Sequence, residues 1–412
     1  MKTFSSSFLK VMVLLIIFIN ASCGNNQNKK EDMNKEKNYQ KGTFGFDKEF
    51  LQEKDTSLVV LSNGKSSVLV SPKYQAKVFT STAEGLEGKS FGWINYEVFD
   101  KEKDEHMNAY GGENRFWLGP EGSKYSLFFK PKTKMVYDNW KTPAAIDTEA
   151  WKVVEKSSNE VAMKMSTEIV NYAGTELHLT ANRSIRILSE KEISTLLDIK
   201  LDSIQSVGFS TENSITNSGE EAWTKETGAP CIWMLDMFSP SPETVIIVPF
   251  EDKTEGKIAT TDYFGEIPKD RITYKNSTIF FKADGKSRGK LGVPPNRAKD
   301  KSGSYDPKSQ TLTITYYDLD KDAVYLNQEW TDTKDPYKGD AVNAYNDGPL
   351  EDGSQMGPFY EIESVSPAAF LEPGKSLQHN HSVFHFTGNK SQLDSISKKL
   401  LNVHLEDIQQ VF

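Results

Sequence analysis

Residues 311–317 read Thr311-Leu312-Thr313-Ile314-Thr315-Tyr316-Tyr317, and this alternation of polar and apolar β-formers is that of an extended strand with one buried face. Similar segments recur along the chain. Ser57-Leu58-Val59-Val60-Leu61, Ser67-Val68-Leu69-Val70, Thr244-Val245-Ile246-Ile247-Val248 and Thr278-Ile279-Phe280-Phe281 are short alternating or apolar runs, set off by Gly, Pro, Asn and Asp. That punctuation belongs to strands and turns, not helices. Helical periodicity is best developed in the tail, where Leu393, Ile396 and Leu400 fall on one stripe of residues 392–401. No internal repeat or Pro/Ser linker divides residues 45–390. The body, residues 45–412, therefore reads as one large antiparallel all-β domain with a short C-terminal helix, a stacked sandwich rather than a propeller.

The N-terminus has a different character. Lys2 and Lys10 frame a charged entry region, and Val11 to Ile19 follow without a charge, an apolar run of signal-peptide length and too short to span a bilayer. Asn20-Ala21-Ser22-Cys23 then places small residues ahead of a cysteine, as lipoprotein signal peptidase requires, although Asn20 stands where that pattern usually has Leu. Residues 1–22 are expected to be a removed leader, Cys23 a lipidated N-terminus, and residues 23–44 a polar, disordered tether. The protein would then be a bacterial cell-envelope lipoprotein held to the membrane through Cys23. An ordinary signal peptide cleaved nearby is the alternative.

The chain has two cysteines, so lipidation of Cys23 leaves Cys231 as the remaining thiol and stability must come from burial rather than a disulfide. The formal charge is −9 and becomes more negative once Lys2 and Lys10 are lost with the leader. No basic stripe with interleaved aromatics stands out, which argues against nucleic acid as a partner. The sequence also lacks a phosphate-cradling loop of the required spacing and a Cys-x-x-Cys pair, disfavouring nucleotide-driven chemistry. The basic, glycine-bearing run 283–290 reads as an exposed loop.

The densest chemical signal is Asn108-Ala109-Tyr110-Gly111-Gly112-Glu113-Asn114-Arg115-Phe116-Trp117-Leu118-Gly119-Pro120-Glu121-Gly122. If Glu113 to Leu118 is extended, Glu113, Arg115 and Trp117 share one face, opposite Phe116 and Leu118. A carboxylate, a guanidinium fork and an indole together suit a sugar, whose C–H face stacks on an aromatic while its hydroxyls take bidentate hydrogen bonds. Internal pairing of Glu113 and Arg115, with Trp117 packed under a loop, is the structural alternative. Later, in Phe359-Tyr360-Glu361-Ile362-Glu363-Ser364, Glu361 and Glu363 share a strand face, close enough for one carboxylate to raise the other's pKa in a cleft; a solvent-facing pair is the alternative. Asn327, and Asn346 with Asp347, could reach the same cleft. Asp318-Leu319-Asp320-Lys321-Asp322 lacks the glycine and distal Glu of a calcium loop and is expected to turn a hairpin between 313–317 and 323–327. His379, His381 and His385 would share one face of a strand, but no third ligand or supporting shell for a metal is evident. No metal or other cofactor is expected.

Gly-Gly-Glu-Asn-Arg-Phe-Trp-Leu-Gly-Pro-Glu-Gly at 111–122, Asn213-Ser214-Ile215-Thr216-Asn217-Ser218-Gly219, and Glu361-Ile362-Glu363-Ser364 with Pro373-Gly374 resemble segments of secreted proteins of the galactose mutarotase-like superfamily. The resemblance covers about residues 45–390. It implies a β-supersandwich with a carbohydrate on its concave face. In mutarotases a late Glu acts as base and a His as acid while the sugar ring opens, which implies Glu361 or Glu363 as base and His106 or His178 as acid; Glu113, Arg115, Trp117, Asn327, Asn346 and Asp347, from the strand faces and loops described above, would bind the substrate. The function expected is an extracytoplasmic, monomeric carbohydrate-active lipoprotein, in its enzymatic form an aldose epimerase or mutarotase. A non-catalytic glycan-binding module and a protein-interaction scaffold of the envelope are the alternatives.

Overall fold

Alternating strands must bury their apolar faces against a second layer, and a computed structural model, which describes residues 39–412, shows how they do so. A ten-stranded antiparallel sheet has four long strands at one end, Ser376–Gly388, Ile204–Asn217, Glu176–Ile187 and Glu160–Val170, with Lys152–Lys156 at the edge. Its other half is built from Thr311–Tyr317, Lys301–Asp306, Val245–Pro249, Thr278–Lys282 and Ile272–Lys275. Facing it is a five-stranded sheet in the order Gly289–Val293, Val342–Asn346, Tyr360–Val365, Cys231–Phe238, Arg115–Gly119. A three-stranded sheet, Val59–Asn63, Ser66–Ser71 and Lys77–Thr82, completes the stack. This is the stacked antiparallel β-supersandwich implied by the sequence.

Between the sheets lies one apolar cluster that includes Phe116, Leu118, Ile232, Met234, Leu291, Ala344 and Ile362 from the small sheet with Leu179, Ala181, Phe209 and Val383 from the large one. The interior is also polar. Arg183 donates to Asn213 Oδ1 at 3.2 Å and to the Asn114 side chain, while Asn114 Nδ2 donates to Asp236 at 2.6 Å. His381 Nε2 lies 2.6 Å from Asp236, and the Ser364 hydroxyl bridges His379 and His381. His385 sits between Glu113 and Thr313, stacked on Phe91. The three late histidines thus share the inward face of one strand, each with a polar partner, as buried polar groups require. Phe384 and Phe386 point the other way, onto a second core with the tail helix Lys390–Leu401, where Leu393 and Ile396 are buried.

Three features depart from the sequence reading. Residues 39–44, assigned there to the tether, are placed: Thr43 bridges Lys89 and caps the helix Phe44–Lys54, whose Phe44 and Leu51 pack on Leu69, Tyr74 and Phe79. The leader, Cys23 and the tether before residue 39 lie outside the described residues. Asp318–Asp322 turns no hairpin, because Thr311–Tyr317 pairs with Lys301–Asp306 and Ser376–Gly388, and residues 323–327 form only an isolated parallel bridge, Tyr325 to Lys338. The run 283–290 is not all loop: Gly289–Val293 is a strand, and Lys290 is buried within it.

Candidate functional site

The outer face of the five-stranded sheet carries the chemistry. Cross-strand register places Lys290, Tyr345, Glu361 and Met237 in one row, Asn343, Glu363, Leu235 and Arg115 in the next, and Val365, Trp233 and Trp117 in a third. With a side-chain period of two, these rows share one face while Ile362, Leu291 and Phe116 turn to the core. The charges on this face are deeply buried: Glu363 is 0% exposed and Arg115 and Lys290 4% each.

They pair diagonally. Arg115 bonds Glu361, and Lys290 Nζ lies 3.0 Å from Glu363 Oε2, which also accepts the Trp233 indole N–H at 2.8 Å. Lys290 further sits 4.5 Å above the Trp233 ring. Burial pushes the Glu361 carboxyl up to about 7, with Arg115 drawing it down and Glu363 driving it further up. Burial lowers Lys290, but the charges of Glu363 and Glu121 outweigh it and hold the ammonium above its ordinary value. Glu121, whose backbone N–H is held by Gln328 Oε1, is raised by burial against the opposing pull of Lys290, with the Trp330 indole beside it. Lys77, buried next to Arg115, is brought down to about 7 by desolvation and by that like charge. Glu363 Oε1, Arg115 Nε and Trp117 Nε1 are buried with no protein hydrogen-bond partner, so this layer keeps unused donors and an acceptor.

Next to this layer, sharing Tyr345 of the five-stranded sheet, opens a cleft of 1320 Å³. Trp93, Tyr137, Trp140, Phe264, Trp330 and Tyr345 line it. Trp140 stacks on Trp330 at 5.9 Å and on Tyr137 at 6.2 Å, and Phe264 meets Trp330 and Tyr345 edge-on. Tyr345 connects the cleft to the charged layer, because Glu361 is its direct cross-strand neighbour and is paired with Arg115.

The residues singled out from sequence are distributed as follows. Arg115, Trp117, Glu361 and Glu363 converge on the one face, and Asp347 lines the cleft, its carboxylate accepting from the Tyr345 hydroxyl at 3.0 Å and from the Gly357 N–H at 3.1 Å, with burial raising its pKa. Trp117 is not an open platform; it packs against Trp233 and Phe128 with the Arg115 guanidinium 5.1 Å above. Glu113 does not share the face of Arg115 and Trp117. Gly111 and Gly112 take positive φ, and Glu113 and Asn114 pair with Phe79 and Val78 of the three-stranded sheet before the strand begins at Arg115. Glu113 therefore turns inward to Ser81 and His385.

Asn327 and Asn346 act on loops. Asn327 Oδ1 accepts the Glu329 N–H, and Asn346 clamps Gly285 and Ser287, each at 2.9 Å. His106 is at the rim, its Nδ1 2.6 Å from the Trp140 carbonyl and its ring stacked on Tyr137. His178 belongs to the large sheet, between Glu168 and Glu176; among the described residues these three form the His/carboxylate set whose donor atoms lie within 4.8 Å of one another, and the glutamates are exposed. Sequence reading passed over Lys290, Glu121 and the cleft aromatics. The signal for Lys290 was the alternation of Lys290 and Gly292 with Leu291 and Val293; the aromatics come from scattered loops and leave no local pattern.

Among proteins of known structure, the chain is similar to a candidate aldose 1-epimerase from Escherichia coli K12, at 12% identity and TM-score 0.48, covering 80% of this chain and 98% of that one. It is similar also to a galactose mutarotase related enzyme from Lactobacillus acidophilus, at 10% identity and TM-score 0.47 over 81% and 98% of the two chains. A galactose mutarotase-like protein from Lactobacillus casei gives 11%, 0.47, 80% and 100%. No curated protein matches the sequence. A family model, described as a family of unknown function (DUF6786), matches residues 42–412.

Proposed function

This chain belongs to the family of unknown function DUF6786, and we propose that it binds a carbohydrate in the aromatic cleft over its five-stranded sheet. The observation that carries this reading is the stacked Trp140–Trp330 pair lining a cleft that also presents Tyr345, the cross-strand neighbour of the buried, Arg115-paired Glu361. Indole faces take the C–H face of a pyranose, and fixed charged groups take its hydroxyls. The volume of 1320 Å³ exceeds what a small ligand needs and suits an oligosaccharide or a sugar with a substituent.

In the catalytic form of this reading Glu361 transfers the proton. A carboxyl held at about 7 exchanges a proton readily at neutral pH, and Glu121, raised by burial, supplies a second acid. The reaction would be the opening and reclosing of an aldose ring, one group taking the anomeric hydroxyl proton while the other protonates the ring oxygen. One observation favours binding without turnover instead: Glu361 and Glu363 are each already engaged by a cation, and His379, His381 and His385 all lie in the interior. The protein is further proposed to act as a lipid-anchored, monomeric envelope protein, tethered through Cys23.

A glycan screen followed by calorimetry and an anomer-interconversion assay separates these readings. Binding that falls tenfold or more in Trp330→Ala is expected. Interconversion lost in Glu361→Gln with affinity retained supports catalysis, and binding without interconversion supports capture alone. The absence of any saccharide ligand would overturn the proposal.

A further inference from the structure

Arg288 enters the cleft from the short loop ahead of the Gly289–Val293 strand. Its guanidinium carbon lies 3.9 Å from the centre of the Phe264 ring, and its polar side-chain neighbour is the Tyr345 hydroxyl. The other arginines of the described residues are held by carboxylates, amides or backbone carbonyls: Arg115 has Glu361, Arg183 has Asn114 and Asn213, Arg186 has Glu192, Arg271 has Asp284, and Arg297 has three backbone carbonyls. Arg288 has no ion-pair partner within 4.0 Å among these residues. Asp347, the nearby acidic residue of the inner wall, has its two oxygens taken by Tyr345 and the Gly357 N–H. The other acidic lining residues are Asp47, engaged by Ser90 and Tyr96, and Glu97, Glu102 and Asp104, which come from a single rim segment.

The backbone that carries Arg288 is also held in place. Asn346 accepts the Gly285 N–H and donates to the Ser287 carbonyl, each at 2.9 Å, and Gln355 donates to the Gly285 carbonyl at 2.8 Å. Gly348 lies so close beneath that a Cβ there would stand 2.4 Å from the Arg288 backbone nitrogen. Ring stacking and a clamped backbone remove most of the entropy that an exposed arginine would lose on binding. A planar cation fixed in a cleft, with the Tyr345 hydroxyl as its hydrogen-bond partner and no carboxylate on its N–H fork, is matched to a two-oxygen anion.

Resting on the carbohydrate reading above, we propose that Arg288 anchors an anionic substituent, a carboxylate or a sulfate, so that the ligand of this cleft is an acidic saccharide. The stacked tryptophans hold the ring and Arg288 selects the charge.

The test is a panel of unsubstituted, uronate-bearing and sulfated oligosaccharides, read with wild type, Arg288→Ala and Arg288→Lys, each checked by circular dichroism. The expected result is that the tightest ligands are anionic, that Arg288→Ala weakens them roughly tenfold or more while changing neutral ligands little, and that Arg288→Lys falls between. The uronate and sulfate arms identify which anion is taken. Preference for neutral ligands, or equal weakening of neutral and anionic ligands by Arg288→Ala, overturns the Arg288 assignment and leaves the carbohydrate reading standing. If nothing on the panel binds, the carbohydrate reading falls and this inference falls with it.

Discussion

Arg115 and Glu363 occupy the same register row of the five-stranded sheet, both opposite Leu235, yet Arg115 bonds Glu361 instead. Lys290 does the converse: it shares a row with Glu361 and pairs with Glu363. The two ion pairs therefore cross, and neither carboxylate can be neutralised without altering the field at the other.

The first consequence is a pH dependence of stability. The folded pKa of Glu361, about 7, lies above its ordinary value of 4.5, so the folded state binds this proton more tightly than the unfolded chain does. Its contribution is fully present below about 4.5 and is lost as pH rises through about 7. Thermal melts should show Tm falling across that window, with the fall blunted in Glu361→Gln. A wild-type Tm flat from pH 4.5 to 7.5 would mean that Glu361 stays ionised throughout.

Two tryptophans should separate binding from stability. Trp330 lines the cleft, whereas Trp117 packs below it against Trp233 and Phe128. Trp330→Ala is expected to cost about 1–3 kcal/mol of saccharide binding with a modest change in Tm. Trp117→Ala is expected to cost about 3–5 kcal/mol of folding stability through the cavity it leaves. Calorimetry and denaturant titration of both variants check this, and the reverse assignment would place the ligand beneath Trp140 and Trp330 rather than against them.

How much of this was legible in the sequence follows from how local each signal is. The period-two alternation of 311–317 is a local signal, and so is the tail stripe of Leu393 and Ile396; both gave elements where expected. Arg115 and Trp117 fall on one face because Arg115–Gly119 is regular. Glu113 leaves that face because the positive φ of Gly111 and Gly112 redirects the chain, a change that residue alternation cannot register. The helix Phe44–Lys54 was not evident because its burial comes from Tyr74 and Phe79, far along the chain, rather than from a clean stripe of its own. The cleft wall is non-local in the same sense: Trp93, Trp140 and Trp330 meet only through the folded loops.

Lipid anchorage is the third prediction. Cys23, outside the described residues, follows Asn20-Ala21-Ser22, and a fatty-acid analogue should label the wild-type protein and not Cys23→Ala. Equal labelling of the two would exclude this cysteine as the anchor.

The last prediction asks whether the crossed ion pairs serve the ligand or the fold. Lys290→Met removes a buried cation and leaves Glu363, 0% exposed, with the Trp233 indole as its remaining bond donor. An uncompensated buried charge is costly, and the single variant should lose about 3–5 kcal/mol of stability. Lys290→Met combined with Glu363→Gln removes the unpaired charge and keeps an acceptor for Trp233, so most of that loss should return. If the layer only stabilises the sheet, saccharide affinity will recover together with Tm. If it serves the ligand, the double variant will fold near wild-type stability and still bind weakly, because the field that Lys290 and Glu363 exert on Glu361, the cross-strand neighbour of the cleft residue Tyr345, is gone. Urea titration and calorimetry on the wild type, both single variants and the double variant close the cycle, and full recovery of both quantities would assign the Lys290–Glu363 pair to the fold alone.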